Sequence, residues 1–110
     1  MNSGLPFANK AHIDESKVTD YLLNPAKSRG KAGFFLRFGF TPENWQTMAR
    51  ALADHGRSGR VFAIVESEHG SRYSVDGPLD TPSGRQPAVR TVWIVEHGAE
   101  RPRLVTAHPL

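Results

Sequence analysis

The stretch GRVFAIVESEHGSRYSV, Gly59 to Val75, is where the chain changes its period. Before it, apolar residues recur every three or four positions; within it they alternate, in two runs separated by Glu68, His69 and Gly70. Alternation places successive side chains on opposite faces of an extended strand. A link this short makes the two strands antiparallel, because a parallel crossover needs roughly a dozen residues or more. The segment therefore reads as a β-hairpin.

Downstream, AVRTVWIVE (88–96) and RLVTAH (103–108) continue the alternation, joined by the short HGAERP. Only GPLDTPSGRQPA (77–88) is a long, irregular connection. In the second strand Tyr73 and Val75 alternate with Arg72, Ser74 and Asp76, so one sheet face turns inward and the other outward.

Upstream, the helical period holds. FTPENWQTMARALADHG (40–56) has Thr41 as N-cap, Pro42 in the first turn and Phe40 with Trp45 as a hydrophobic staple. Trp45, Met48, Ala49 and Leu52 form its apolar stripe and Gly56 its end. In SRGKAGFFLRFGF (28–40), Ser28 caps a short helix whose Phe34, Phe35 and Phe38 share a core face, and Gly39 closes it. HIDESKVTDYLL (12–23) supplies the first helix, with Asp14 as cap, Ile13 and Val18 as staple, and Asn24-Pro25 as its stop. Helices first and strands afterwards predict an α+β fold: three N-terminal helices packed on one face of a four-stranded antiparallel sheet, with the other face free. At 110 residues the chain suits one domain, read as 12–110, preceded by a flexible N-terminal arm over 1–11.

Composition narrows the chemistry. With no cysteine, disulfides, thiolate nucleophiles and cysteine-held metals are excluded. His12, His55, His69, His97 and His108 are scattered without metal-ligand spacing, so no metal site and no cofactor are expected. His55, His69 and His97 each stand near glycine at predicted turns and are expected in solvent. There is no GxGxxG, P-loop or GxSxG pattern, which removes the usual dinucleotide, nucleoside triphosphate and acyl-transfer readings. No apolar run resembles a signal peptide or a membrane span, so the domain is expected to be soluble and cytoplasmic.

Net charge is +3, from 14 Lys and Arg against 11 Asp and Glu, and its distribution is uneven. No acid falls between Asp20 and Glu43, where Lys27, Arg29, Lys31 and Arg37 lie; a second acid-free interval, Asp80 to Glu96, holds Arg85 and Arg90. Such segregation suits a phosphate-bearing partner, with RNA the natural candidate. Lys31, at the start of the predicted second helix, opposes the helix dipole, a small cost that an anion would offset.

Metal-free RNA cleavage uses the 2′-hydroxyl of the RNA as nucleophile, so the protein need supply only a base, an acid and cationic donors. The residues suited to this are Lys31 on the helical side and Arg72, Arg90, Thr106 and His108 on the strands. Thr106 and His108 share one face of the last strand, whereas Trp93 and Tyr73, alternating with apolar neighbours, read as core. Arg29, Arg72 and Arg85 are candidate substrate-binding cations.

The succession VTDYLLNPAKSRGKAGFFLRFGF, then Trp45, then RYSVDGPLDTPSGR, then VRTVWIVEHGAERPRLVTAHPL resembles an uncharacterised family of small bacterial domains often labelled adhesin. A more distant similarity is to the barnase/EndoU/colicin/RelE superfamily of ribonuclease toxins. That resemblance implies helices before a four-stranded sheet, Lys31 and Arg90 stabilising a phosphorane, and Thr106 or His108 on the phosphate or leaving group. It also implies a small cognate antitoxin or immunity protein as partner, and a toxin-antitoxin role. The early catalytic histidine of such domains has only His12 as its counterpart here. The alternative is a non-enzymatic protein-interaction module, an antitoxin or partner-binding domain that uses the free sheet face; a third is passive RNA binding.

Overall fold

The computed structural model describes residues 4–110. Two α-helices precede a four-stranded sheet: α1, Pro25–Arg37, and α2, Trp45–Ser58, then β1, Arg60–Ser67, β2, Gly70–Pro78, β3, Ala88–Glu96, and β4, Arg103–Pro109. Strand order follows the sequence, β1-β2-β3-β4, and every pairing is antiparallel. The α+β class and the sheet are as the alternation predicted. The helical layer differs: the expected first helix is a single π-helical turn, Lys17–Leu22, and two 3-10 turns cover Ala8–Lys10 and Pro42–Asn44.

The causes are local. Asp14 does not cap a helix, because its carboxylate is taken by His12 Nε2 at 2.6 Å. Ser28 is not an N-cap either: α1 starts earlier, where Asn24 Oδ1 accepts from the Ala26 amide at 2.9 Å ahead of Pro25. Ser28 instead marks a non-helical break inside α1, and its hydroxyl donates back to the Tyr21 carbonyl at 2.6 Å, tying α1 to the preceding turn. Thr41 caps as expected, accepting from the Asn44 amide at 3.2 Å.

The core lies between the helices and one sheet face, built on Phe35, Phe40, Met48, Leu52, Trp93 and Leu104. Leu5 belongs to the same cluster and is only 6% exposed, so the segment following residue 3 contributes to the core. Residues 1–3 of the expected arm lie outside the described residues. Gly56 does not end α2, which continues to Ser58; it lets the helix settle on the sheet, since a Cβ there would stand 2.9 Å from Trp93 Cζ2.

That close approach overturns the expectation that His55 faces solvent. His55 is 2% exposed. Its Nε2 faces the carbonyls of Val89 (2.8 Å) and Gly77 (3.1 Å), which only accept, so Nε2 carries the hydrogen. Its Nδ1 is then an acceptor for the Thr91 hydroxyl at 3.0 Å, and Thr91 Oγ1 in turn accepts from Trp93 Nε1 at 2.8 Å. Each polar group in this chain is satisfied with the imidazole neutral, and burial lowers its pKa from the ordinary histidine value.

Two bulges set the faces. Across β3 and β4, Trp93 opposes Leu104 while Val92 opposes Thr106, leaving Val105 as the extra residue. Leu104 and Ala107 can therefore both be buried on the helix side although three residues apart, and Thr106 and His108 fall in line with Val92 and Arg90 on the outer face. In β1 the extra residue is Phe62.

Candidate functional site

Tyr21 stands on the π-helical turn, whose Leu23 amide bonds to the Val18 carbonyl five residues back at 2.9 Å. Such insertions recur at functional positions. The turn packs on the β4 edge, where the Tyr21 hydroxyl meets Thr106 Oγ1 at 3.4 Å, across a separation of 85 residues. Lys31, inside α1 and half-buried, donates from Nζ to the same hydroxyl at 2.8 Å. Lys31 and Lys17 also lie near the Tyr21 ring, with Nζ atoms 5.2 Å and 5.1 Å from its centroid. The Lys31 hydrogen bond, then that of Thr106, then the two ammonium charges hold the phenol below its ordinary pKa, against an opposing effect of burial.

This geometry corrects the picture of Lys31 as a cation at a helix start. Its charge is directed at a phenol whose ionised form it favours.

Beside this cluster a polar row crosses the outer face, Arg60, Asp76, Arg90 and His108 standing on successive strands. Arg90 donates from Nε and Nη2 to the two Asp76 carboxylate oxygens at 2.6 and 2.8 Å, and its guanidinium lies 4.1 Å from the Phe62 ring centroid. The paired guanidinium holds the Asp76 carboxyl below the usual carboxylate range. Two of five N–H donors are thereby engaged and three remain. His108 Nδ1 lies 3.1 Å from the Pro109 carbonyl, which can only accept, so Nδ1 is the donor and Nε2 is left outside this contact.

Thr106 and His108 are two residues apart on β4, about 7 Å, and Arg90 is diagonal to Thr106 at about 7–8 Å. Four predicted residues, Lys31, Arg90, Thr106 and His108, thus lie along one strip at the β3–β4 side of the sheet. The other three do not join it. Arg72 opposes Val65 and Ile94, four residues along β2 from Asp76 and so about 13 Å away. Arg29 is exposed two residues before Lys31, about 200° around α1, and Arg85 is exposed in the β2–β3 connection.

Tyr21 is the residue that sequence reading assigned to helix packing and so missed. The available signal was Lys17 at i−4, a spacing that sets a cation against an aromatic ring on a helical turn. Among the described residues no group of three His, Cys, Asp or Glu side chains is placed to hold a metal ion. Hollows lined by Thr47, Arg50, Asp54 and Thr81, and by Asp14, Glu15 and Asp20, contain none of the strip residues. Among the described residues no helix is long and apolar enough to cross a membrane.

These features define a class: a small α+β domain whose antiparallel sheet has helices on one face and a Lys–Tyr–Thr cluster at its last strand. Within that class the chain belongs to a family described as a domain of unknown function, DUF6883, which matches residues 4–110. That description lends nothing to the adhesin label. No curated protein matches the sequence. Among solved structures, the chain is similar to one from a contact-dependent growth inhibition toxin–immunity protein complex of Klebsiella pneumoniae 342. The TM-score is 0.73 at 13% identity, covering 94% of this chain and 96% of that one. At that identity the likeness is one of fold.

Proposed function

We propose that the domain is a toxin-type, metal-independent endoribonuclease acting at the strip of Lys31, Tyr21, Thr106, His108 and Arg90. The observation that carries the reading is the convergence of Lys31 and Thr106, from a helix and the last strand, on one phenolic oxygen. A tyrosine held below its ordinary pKa between a lysine and a threonine is a group that acid–base chemistry on a phosphodiester can use.

In this reading His108 Nε2 takes the proton of the RNA 2′-hydroxyl, and the resulting 2′-oxygen attacks the adjacent phosphorus. The bond from phosphorus to the 5′-oxygen breaks, and Tyr21 supplies the proton that the 5′-oxygen gains. Lys31 stabilises the phenolate left behind and, with the free donors of Arg90, the charge on the phosphoryl oxygens. Thr106 orients the phenol. The products are a 2′,3′-cyclic phosphate and a 5′-hydroxyl, with the proton passed from His108 back to Tyr21 through solvent. The spacing of about 7 Å between Thr106 and His108 leaves room for a phosphate between acid and base. A small cognate antitoxin or immunity protein is the neutralising partner this reading implies, in keeping with the origin of the similar solved chain.

The test is incubation of the purified protein with single-stranded RNA in EDTA, reading fragments that end in cyclic phosphate. Tyr21→Phe and Lys31→Ala should each slow cleavage about 100-fold or more, and induction in bacteria should arrest growth unless Lys31 is replaced. A wild-type protein that leaves RNA intact and is tolerated at high expression overturns the reading in favour of an interaction module.

A further inference from the structure

The two edges of the sheet are treated differently. The β4 edge is partly covered, the His12 amide donating to Pro102 and the Leu104 amide to His12, at 2.8 and 3.1 Å. Among the described residues the β1 edge pairs only with β2, so its outward backbone groups have no strand partner there. Natural sheets protect such an edge with charge, proline or a bulge; VFAIV, residues 61–65, carries no charge and no proline, and its bulge at Phe62 leaves the residues from Ala63 onward regular. Its side chains are also unusually bare: Phe62 is 64%, Ile64 53% and Val65 59% exposed. The α2 helix packs over β2 and β3 rather than over β1.

Charge is distributed along this edge with polarity. Exposed Arg60 opens β1 and exposed Glu66 stands near its end, with exposed Glu68 in the turn just beyond and the uncharged run between. A strand of this pattern is complementary to itself when antiparallel: pairing centred near Ile64 sets Arg60 of one copy against the Glu66–Glu68 end of the other, twice, and buries the apolar middle. We propose that β1 is a self-association edge, through which two copies of this chain join by antiparallel β1–β1 pairing into a continuous eight-stranded sheet. The bulge at Phe62 interrupts the ladder between Val61 and Ala63, so the regular backbone pairing is short, the Arg60 contacts flank it, and the interface stays small. This inference is independent of the nuclease reading.

Sedimentation equilibrium on the 110-residue chain tests it, with thermal unfolding of each variant read alongside. The expected result is a dimer that grows across about 10 µM to 1 mM, the behaviour of an interface below about 1,200 Å². Ile64→Lys, at an exposed position, should weaken the dimer at least tenfold. Arg60→Glu alone, and Glu66→Arg with Glu68→Arg, should each do the same, because each places like charges at both ends of the pairing. Mixing those two charge-reversed proteins should restore the dimer as a heterodimer. A wild-type chain monomeric at 1 mM, a dimer indifferent to Ile64→Lys, or a charge-reversed mixture no more associated than its components overturns the proposal.

Discussion

Replacing Thr91 by valine isolates the hydroxyl that joins His55 to Trp93. The shape of the side chain is nearly kept, so no cavity forms. What is lost is an acceptor for Trp93 Nε1–H, 2.8 Å away, and a donor to His55 Nδ1, 3.0 Å away, both in the buried layer between α2 and β3. Each buried polar atom left without a partner costs about 1–3 kcal/mol. Exchanging hydroxyl for methyl returns about 1 kcal/mol of burial. The net expectation is a loss of about 1–5 kcal/mol, set against about 5–15 kcal/mol for the whole domain. Thr91→Ser keeps the hydroxyl and removes one methyl group, about 0.8 kcal/mol plus a small cavity term. Urea unfolding followed by tryptophan fluorescence and circular dichroism should rank wild type above Ser above Val, with slopes unchanged and the Val midpoint lower by about 0.5–2.5 M. A valine variant as stable as the serine variant would refute the network as an energetic unit.

Further expectations concern titration and packing. Burial lowers the folded-state pKa of His55 below its unfolded value of 6.5, so the unfolded chain binds the extra proton first as pH falls. The stability tied to this group is complete above pH 6.5 and declines below it by at most about 1.4 kcal/mol per pH unit; His55 imidazole resonances in NMR should stay neutral through that window. Asp76, held low chiefly by its hydrogen bonds to Arg90, contributes in a separate window beneath its ordinary 3.8, where protonation removes the pair. Lys31→Met removes the largest cause of the lowered Tyr21 pKa, so ultraviolet titration, with Tyr21→Phe as the blank, should find the phenol returned upward toward 10. Two glycine replacements should have opposite signs: Gly56→Ala, whose Cβ meets Trp93 at 2.9 Å, should cost about 1–2 kcal/mol, while Gly33→Ala, with no atom within 4 Å, should stabilise α1 by about 0.5–1 kcal/mol.

Periodicity and short connections were enough to read the sheet. Alternation from Arg60 onward and the tight Glu68–His69 link are properties of neighbouring residues, and they are expressed as β1 paired antiparallel with β2. Thr41 with Pro42 likewise announced the start of the last helical segment. Helical details failed where side chains found partners other than those assumed: Asp14 bonded to His12, and Ser28 reached back to the Tyr21 carbonyl. His55 beside Gly56 looked like a turn. Only the presence of Trp93 beneath α2 made that glycine a packing device and that histidine a buried one.

The site divides along the same line. The chain's residue types and their spacing named Lys31, Arg90, Thr106 and His108 as suitable chemistry and set Thr106 and His108 on a common strand face. Which face that is depended on the bulge at Val105: without it Thr106 would oppose Thr91 on the helix side and could not align with Val92 and Arg90 outside. The meeting of Tyr21, Lys31 and Thr106 depended further on a π-helical turn packed at the β4 edge. Side-chain direction along one element follows from local backbone geometry and is written in the sequence. Register between strands and the docking of a turn at their edge are fixed by the burial of Leu104, Ala107 and Trp93 together, a condition met only when the whole core closes.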